Sequence, residues 1–274
     1  MIQPAPEPAV AGVIGWPIKH SKSPLIHRFW LGKLGIDGDY SRFPVAPDHL
    51  GRFLKALPAI GLRGVNVTLP HKLAVIPHLD ALAPGAAAVG AVNTIIVGET
   101  GRLTGHNTDV AGITVPAGAA LAGRPMLLVG SGGAARAGAA AAVAGGASAL
   151  WIMARNFDAA GQLLASTGLP GGVLTMADPL PADTGLLFNA TTLGMTGQPP
   201  LVLDLSPLPP DAVVFDAVYA PLDTPLLLAA RARELATIDG LSMLIGQAAE
   251  AFRLFFGAEP PRQHDDELRS LLTR

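Results

Sequence analysis

Between Val129 and Arg136 the chain reads Val-Gly-Ser-Gly-Gly-Ala-Ala-Arg, with its small residues where a backbone must wrap closely around a phosphate. Gly130 permits a sharp turn out of the preceding apolar segment, and Gly132 lets the main chain approach a pyrophosphate. Ala135 is small enough for the following helix to lie close on a sheet. The first N–H groups of that helix would then bind phosphate oxygens. No Lys-Ser or Lys-Thr pair follows, which separates this loop from that of phosphate-loop NTPases. In so glycine- and alanine-rich a chain the same residues can also make a purely structural turn. The next apolar segment ends Ala154-Arg155-Asn156, where a protein preferring NAD would place an acid for the adenosine ribose. An arginine there suits the additional 2′-phosphate of NADP. An ordinary solvated Arg155, with Asp158 reaching the ribose, is the other reading.

A second set of residues suits a small hydroxylated acid. Ser21 and Ser23 can converge two hydroxyls on a carboxylate and Thr68 can add another, while Lys72, Asn93, Asp109 and Gln247 supply donors and acceptors for hydroxyl groups. Taken singly, two serines in a loop are ordinary turn residues, a lone asparagine usually satisfies backbone, and a lone lysine usually faces water. Their repeated placement after predicted strands favours a common site. The chain has no cysteine and no His-Glu-x-x-His pattern, so zinc-assisted alcohol chemistry is not expected and no metal is predicted. His71 and His106 read as packing or hydrogen-bonding groups.

Such residues need a scaffold that delivers them to strand ends. Residues 11–14 predict a short buried strand, then a loop punctuated by Gly15, Pro17 and Pro24, then a helix from about Leu25. Residues 40–45 and 64–67 predict strands with a helix over 48–57 between them; 91–97 and 102–105 predict two strands joined by a turn-rich connection. A fresh start follows residue 109. A linking segment over 112–121 leads to strand 125–129, the glycine loop and an alanine-rich helix to about Ala144. Strand 149–153, helix 157–166, strands 186–189 and 213–217 and helix 226–233 come next. The last strong helix, over 241–256, carries Leu244, Ala248, Phe252 and Phe255 as an apolar stripe with Gln247 beside it. Strands alternating with covering helices predict a largely parallel sheet. Two α/β units with a boundary near 109–112 fit better than one barrel, the expected site is the cleft, and the C-terminal helices can complete either unit.

At 274 residues the chain can hold one large domain or two modest ones. A formal net charge of −2 gives no general field for holding nucleic acid. No apolar run approaches the roughly 20 residues needed to cross a bilayer, and the opening residues lack the basic start and apolar stretch of a signal peptide. A cytoplasmic location is the expectation.

Several longer motifs stand in order along nearly the whole chain: Gly15-Trp16-Pro17-Ile18-Lys19-His20-Ser21-Lys22-Ser23-Pro24, Asn66-Val67-Thr68-Leu69-Pro70-His71-Lys72, Val89-Gly90-Ala91-Val92-Asn93-Thr94 and Asn107-Thr108-Asp109. After the glycine loop come Asn189-Ala190-Thr191-Thr192, Asp216-Ala217-Val218-Tyr219 and Asp239-Gly240-Leu241. With them the chain closely resembles the shikimate dehydrogenase family. The resemblance implies two α/β domains with an active-site cleft between them. Residues 1–108 would form the substrate-binding domain, completed by C-terminal helices over 239–274, and 109–238 a Rossmann-type, doubly wound NADP-binding domain. By the same resemblance Ser21, Ser23, Thr68 and Tyr219 surround the substrate carboxylate, and Lys72, Asn93, Asp109 and Gln247 contact its hydroxyls. Lys72 and Asp109 match the family's catalytic pair. Gly130, Ser131, Gly132, Gly133, Ala134 and Arg136 in the loop, Ala154, Arg155 and Asn156 after the second strand, and Thr191, Ala217, Gly240 and Met243 further on match its cofactor contacts.

The implied reaction is the reversible NADPH-dependent reduction of 3-dehydroshikimate to shikimate in aromatic amino acid (chorismate) biosynthesis. The implied partner is a small molecule, with no nucleic acid or membrane, for a monomer or a homodimer. Departures from the family pattern fall on the cofactor side. Ala154-Arg155-Asn156 replaces the usual Asn-Arg-Thr, Ala159 stands where a second basic residue is frequent, Ser131 replaces an alanine, Ser242 a glycine, and Val110 a glycine. Two other functions are therefore weighed: a quinate/shikimate dehydrogenase accepting NAD, and a catalytically silent nucleotide-sensing or protein-binding relative. Retention of both Lys72 and Asp109 argues against the second.

Overall fold

A computed structural model describes residues 8–274. The first strand, β1 (Ala9–Gly15), sends Ala11 and Val13 to one face and Ile14 to the other. It leads through a loop to α1 (Ser23–Leu34), which starts two residues earlier than expected because Pro24 is accommodated in its first turn, where a missing N–H costs nothing. Then follow β2 (Gly38–Pro44), α2 (Leu50–Ala56), β3 (Leu62–Val67), β4 (Ala81–Leu82), α3 (Pro84–Val89), β5 (Thr94–Val97) and β6 (Leu103–His106). These strands form one six-stranded sheet in the order β2-β1-β3-β5-β6-β4. The sheet is mixed: β5 runs antiparallel to both β3 and β6, while β1, β2 and β3 are parallel.

The remaining elements are α4 (Asp109–Ala117), β7 (Met126–Val129), α5 (Gly133–Ala144), β8 (Leu150–Met153), α6 (Phe157–Thr167), β9 (Gly171–Leu174), β10 (Leu186–Asn189), β11 (Val213–Asp216), α7 (Pro225–Ala232), β12 (Ala236–Ile238), α8 (Gly240–Phe256) and α9 (Asp265–Leu272). Strands β7 to β12 make a second six-stranded sheet, wholly parallel, in the order β12-β11-β10-β7-β8-β9. The chain starts at the centre and winds outward in both directions, the doubly wound order that opens a crevice where strand order reverses, here between β7 and β10. Both faces are covered, which is why its strands read as unbroken apolar runs. Met126, Leu128, Phe188 and Phe215 enter one core; Leu127, Val129, Leu187 and Val214 enter the other.

By its packing the chain divides into two units. One holds the described residues up to Thr108 with Ala248–Arg274, and the other Asp109–Gln247. The second crossing therefore lies inside α8, nine residues beyond the 238/239 division drawn from sequence. The cause is local: Met243 belongs to the core of the second unit, and a Cβ on Gly112 of α4 would stand 2.8 Å from the Met243 carbonyl and 3.1 Å from Gln247 Cβ.

In the first unit α1 turns His27 and Trp30 into a wholly buried aromatic cluster with Tyr40 of β2 and Phe252 of α8. His27 stacks on Tyr40 with ring centroids 4.0 Å apart and planes 1° from parallel, and Phe252, Phe255 and Phe256 close over it. Neither imidazole nitrogen has a hydrogen-bond partner among the described residues, and burial lowers the pKa of His27 from 6.5 to about 3. Tyr40, the one other titratable ring in the cluster, is pushed well above its usual value by burial and stays neutral. From about pH 6.5 down to about 3 the unfolded chain binds a proton that the native chain refuses, so His27 makes stability fall with falling pH, by roughly 3 kcal/mol at pH 4. His27→Phe should flatten this dependence. Urea midpoints of the variant at about pH 7 and pH 4 should lie closer together than those of the parent; equal spacing would contradict the account.

Candidate active site

Because β5 runs against its neighbours, its amino end meets the carboxyl ends of β1, β3 and β6 on one edge of the first sheet. Ser21 and Ser23 follow β1, Thr68 and Lys72 follow β3, Asn93 precedes β5 and Thr108 follows β6. The fold thus gathers the expected substrate residues of this unit on one edge. Thr68 is held by its N–H, which donates to the Ile14 carbonyl at 3.0 Å. It needs glycine beside it, since a Cβ on Gly15 would come within 2.6 Å of Thr68 Cγ2. Lys72 is half-buried, and its carbonyl accepts from the Val92 N–H at 2.9 Å. His71 is buried with Nε2 2.7 Å from the Val45 carbonyl, a packing role.

Behind this edge runs a chain of buried hydrogen bonds that sequence reading did not anticipate. The Tyr40 hydroxyl is linked to Ser23 and donates to Asn66 Oδ1 at 2.6 Å. Asn66 Nδ2 donates to Thr94 Oγ1 at 2.8 Å and to the Asn93 carbonyl at 3.2 Å. Thr94 Oγ1 donates to Asn93 Oδ1 at 2.9 Å, which also accepts from the Thr108 N–H at 2.8 Å, and Asn93 Nδ2 donates to Thr108 Oγ1 at 2.9 Å. Each buried amide in the chain is thereby paired, as burial requires. Asp109 follows Thr108 directly and opens α4 as a buried acid.

In the second unit every strand points the same way, so the segments after β7, β8, β10, β11 and β12 share one edge. Backbone bonds stitch that edge together: Gly130 N–H to Met153 carbonyl at 2.9 Å, Ala190 to Val129 at 2.9 Å, Ala217 to Asn189 at 3.0 Å and Gly240 to Val218 at 3.3 Å. The expected cofactor residues Gly130, Ser131, Gly132, Gly133, Ala134, Arg136, Ala154, Arg155, Asn156, Thr191, Ala217, Gly240 and Met243 all lie along it or in the first turns of α5 and α8. Gly130 has φ +116°, a conformation that L side chains rarely adopt. Gly240 is forced by contact, because a Cβ there would lie 2.4 Å from the Ala217 carbonyl oxygen.

α5 begins without a side-chain cap, leaving its first N–H groups to an external acceptor. Its N-cap, Gly132, has φ −85° and ψ −164°, and a Cβ built there would meet no atom within 4 Å. Sterics within the protein do not demand glycine at this point, whereas a pyrophosphate laid against the helix would. Ala135 is buried, and one turn later α5 also lies tight on the sheet at Gly138, where a Cβ would lie 2.9 Å from Leu128 and 3.0 Å from Phe188.

After β8, Ala154 is buried and Arg155 exposed, while Asn156 caps α6 by accepting from the Ala159 N–H at 3.0 Å. Ser242 likewise turns inward: its N–H and hydroxyl both donate to Asp239 Oδ1 at 3.0 Å, closing the start of α8. Asp216, wholly buried, joins three segments by accepting from Asn189 Nδ2 at 2.8 Å, the Val218 N–H at 3.0 Å and Thr224 Oγ1 at 2.7 Å. Burial raises its carboxyl above the usual range although these donors pull it down. Asn189 Oδ1 in turn accepts from the Thr191 N–H at 3.0 Å and hydroxyl at 2.7 Å. Tyr219, just beyond, is half-buried with its phenol pKa raised by burial, and Gln247 Nε2 donates to the Leu244 carbonyl at 2.8 Å. Among the described residues no group of three or more His, Asp or Glu could hold a metal ion.

The open space over Gly132 generates a test. Gly132→Ala should leave thermal stability nearly unchanged, within about 0.5 kcal/mol, while weakening dinucleotide binding at least ~10-fold in calorimetric titration. Unchanged dinucleotide affinity would contradict the cradle.

A family model described as the shikimate dehydrogenase substrate binding domain matches residues 13–95, and one described as the shikimate 5′-dehydrogenase C-terminal domain matches residues 240–265. The chain is 53% identical over 264 residues to shikimate dehydrogenase (NADP(+)) of Sphingopyxis alaskensis, with 96% of each chain covered. Among solved structures it superposes on shikimate 5-dehydrogenase of Thermus thermophilus in complex with NADP(H) and shikimate with a TM-score of 0.84 at 36% identity, covering 96% of this chain and 98% of that one. Quinate dehydrogenase of Corynebacterium glutamicum in complex with NAD gives a TM-score of 0.87 at 33% identity, covering 96% and 99%. With this likeness running from end to end, the chain belongs to the shikimate dehydrogenase family.

Proposed function

We propose that this chain catalyses the reversible NADPH-dependent reduction of 3-dehydroshikimate to shikimate, an oxidoreductase step at a CH–OH group in aromatic amino acid (chorismate) biosynthesis. The observation that carries this reading is the gathering of Ser21, Ser23, Thr68, Lys72 and Asn93 on one sheet edge, in a chain that resembles NADP(+)-dependent shikimate dehydrogenases over its whole length. When bound, NADPH would supply the hydride that reduces the substrate carbonyl carbon. Ser21, Ser23, Thr68 and Tyr219 donate hydroxyl hydrogen bonds to the substrate carboxylate. Asn93, Asp109 and Gln247 hold the ring hydroxyls. As the carbonyl oxygen becomes an alkoxide, Lys72 Nζ gives it a proton and its positive charge stabilises the developing anion. Asp109 orients the reacting hydroxyl. In the reverse direction Lys72 Nζ takes the proton back.

On the cofactor side the α5 N–H groups and the loop Gly130, Ser131, Gly132, Gly133 and Ala134 would hold the pyrophosphate, and Arg155, with Arg136, would take the 2′-phosphate. Two observations favour a broader second reading, a quinate/shikimate dehydrogenase accepting NAD: Ala159 offers no second basic arm, and Asn156 Oδ1 is committed to capping α6. The partner in this reading is a small molecule, and a net charge of −2 gives no general field for holding nucleic acid. No helix among the described residues is long and apolar enough to cross a membrane. The enzyme works in the cytoplasm as a monomer or homodimer.

Steady-state kinetics of Lys72→Ala tests the assignment. Turnover with shikimate should fall at least ~100-fold while NADP affinity changes less than ~3-fold. Near-normal turnover would remove Lys72 from the chemistry.

A further inference from the structure

The loop between β1 and α1, residues 16–22, has no regular structure, yet it carries Ser21 and delivers the chain to Ser23. Few bonds hold it. The Trp16 N–H donates to the Leu69 carbonyl at 3.0 Å, the Ser21 N–H to the Ile18 carbonyl at 3.1 Å, and the Ser23 N–H to Ser21 Oγ at 3.3 Å. The Ser21 carbonyl, in the middle of the loop, is held by a side chain from outside. Arg42 of β2 donates to it through Nε at 2.9 Å and also through Nη2. β2 is the edge strand beside β1, and Arg42 pairs there with Val13, only two residues before β1 ends. One residue further along the loop, Lys22 Nζ donates to the Leu272 carbonyl in the last turn of α9, the end of a helix that favours a cation.

We infer that Arg42 is a positioning residue for substrate-carboxylate recognition, holding the Ser21 carbonyl so that Ser21 and Ser23 stay placed for the acid. The inference rests on the proposed role of those serines. A guanidinium giving two N–H groups to one oxygen fixes direction as well as distance, which a single-point ammonium cannot do. The Arg42 side chain is exposed, so its removal opens no cavity and strands no buried charge; the Ser21 carbonyl turns to water instead. The loop then samples more conformations, and binding the acid must order it again. That cost falls on the KM of the acid and leaves turnover and the cofactor untouched.

The experiment is steady-state kinetics on the full chain for Arg42→Ala, Arg42→Lys, Arg28→Ala, the Ser21→Ala/Ser23→Ala pair, and that pair combined with Arg42→Ala. Arg28 is the control for charge, an exposed residue of α1 paired with Asp39 at 2.6 Å. Arg42→Ala should raise the KM for shikimate about 5- to 10-fold, with kcat and the KM for NADP within about 2-fold, and Arg42→Lys should recover part of the loss. Arg28→Ala should have no such effect. In the serine-pair background the same Arg42 change should alter KM by less than about 2-fold, because the groups it positions are gone. An unchanged KM in Arg42→Ala, beside a raised KM in the serine pair, overturns the inference and leaves the serine reading standing. A rise of equal size with and without the serines, or one matched by Arg28→Ala, also overturns it, assigning the effect to charge alone. A serine pair with unchanged KM overturns the carboxylate reading itself, and the inference with it.

Discussion

A strand that ends inside a protein must satisfy its last polar groups before any of them can be offered to a ligand, because an unpaired buried amide costs about 1 to 3 kcal/mol and an unpaired carboxylate more. Both sheets meet this requirement at the edges that carry the proposed site. In the first, Asn66, Asn93, Thr94 and Thr108 satisfy one another in a continuous buried chain that reaches Tyr40. In the second, Asp216 serves the same end for Asn189, Val218 and Thr224. The residues proposed to touch ligand lie beside these networks: Ser23 next to Tyr40, Asn93 inside the chain, Thr191 on Asn189, and Ala217 and Tyr219 on either side of the turn that Asp216 closes. A site that must discriminate hydroxyl groups gains from this arrangement, since side chains already locked by their neighbours need little ordering when a ligand arrives.

Each sheet gathers its site residues on one of its own edges, and the two do so by different routes. Parallel strands place all their carboxyl ends together without further device, and the second sheet needs only Gly130 and Gly240 to let its loops pass close to one another. The first sheet includes a reversed strand, β5, so an amino end joins three carboxyl ends and Asn93 arrives from the opposite direction. Serines, threonines, amides and a lysine collect on that edge, groups matched to a neutral ring with hydroxyls and one carboxylate. On the other edge stand bare helix N–H groups and arginines, matched to phosphates.

Much of this was legible in the sequence, for reasons that can be named. The strands of the second sheet are buried on both faces and stand out as apolar runs such as Met126 to Val129, followed by glycine where the chain must turn. Most of the residues proposed to touch ligand follow a strand, so the same apolar runs marked where to look for them. What escaped has physical causes too. β4, β9 and β12 are two to four residues long and hold no more than two β-branched residues each, too little pattern to register. The α8 crossing between units is invisible because one apolar stripe continues through it. Tyr40 and Asn66 are 26 residues apart, and only the pairing of β1 with both β2 and β3 brings them together. Asn156 and Ser242, both departures from the family pattern, turned out to be engaged in closing helices α6 and α8, a role that neighbouring residues alone determine.

The central claim is that the chain catalyses the transfer of a hydride between a phosphorylated nicotinamide dinucleotide and the hydroxyl-bearing carbon of shikimate. It is tested most directly by measuring kcat/KM of the purified wild-type chain for shikimate and for quinate, each with NADP and with NAD, under matched conditions. The account predicts the highest efficiency for shikimate with NADP, with quinate lower under either dinucleotide. Absence of shikimate-dependent NADP reduction, or a higher efficiency with NAD, would contradict it.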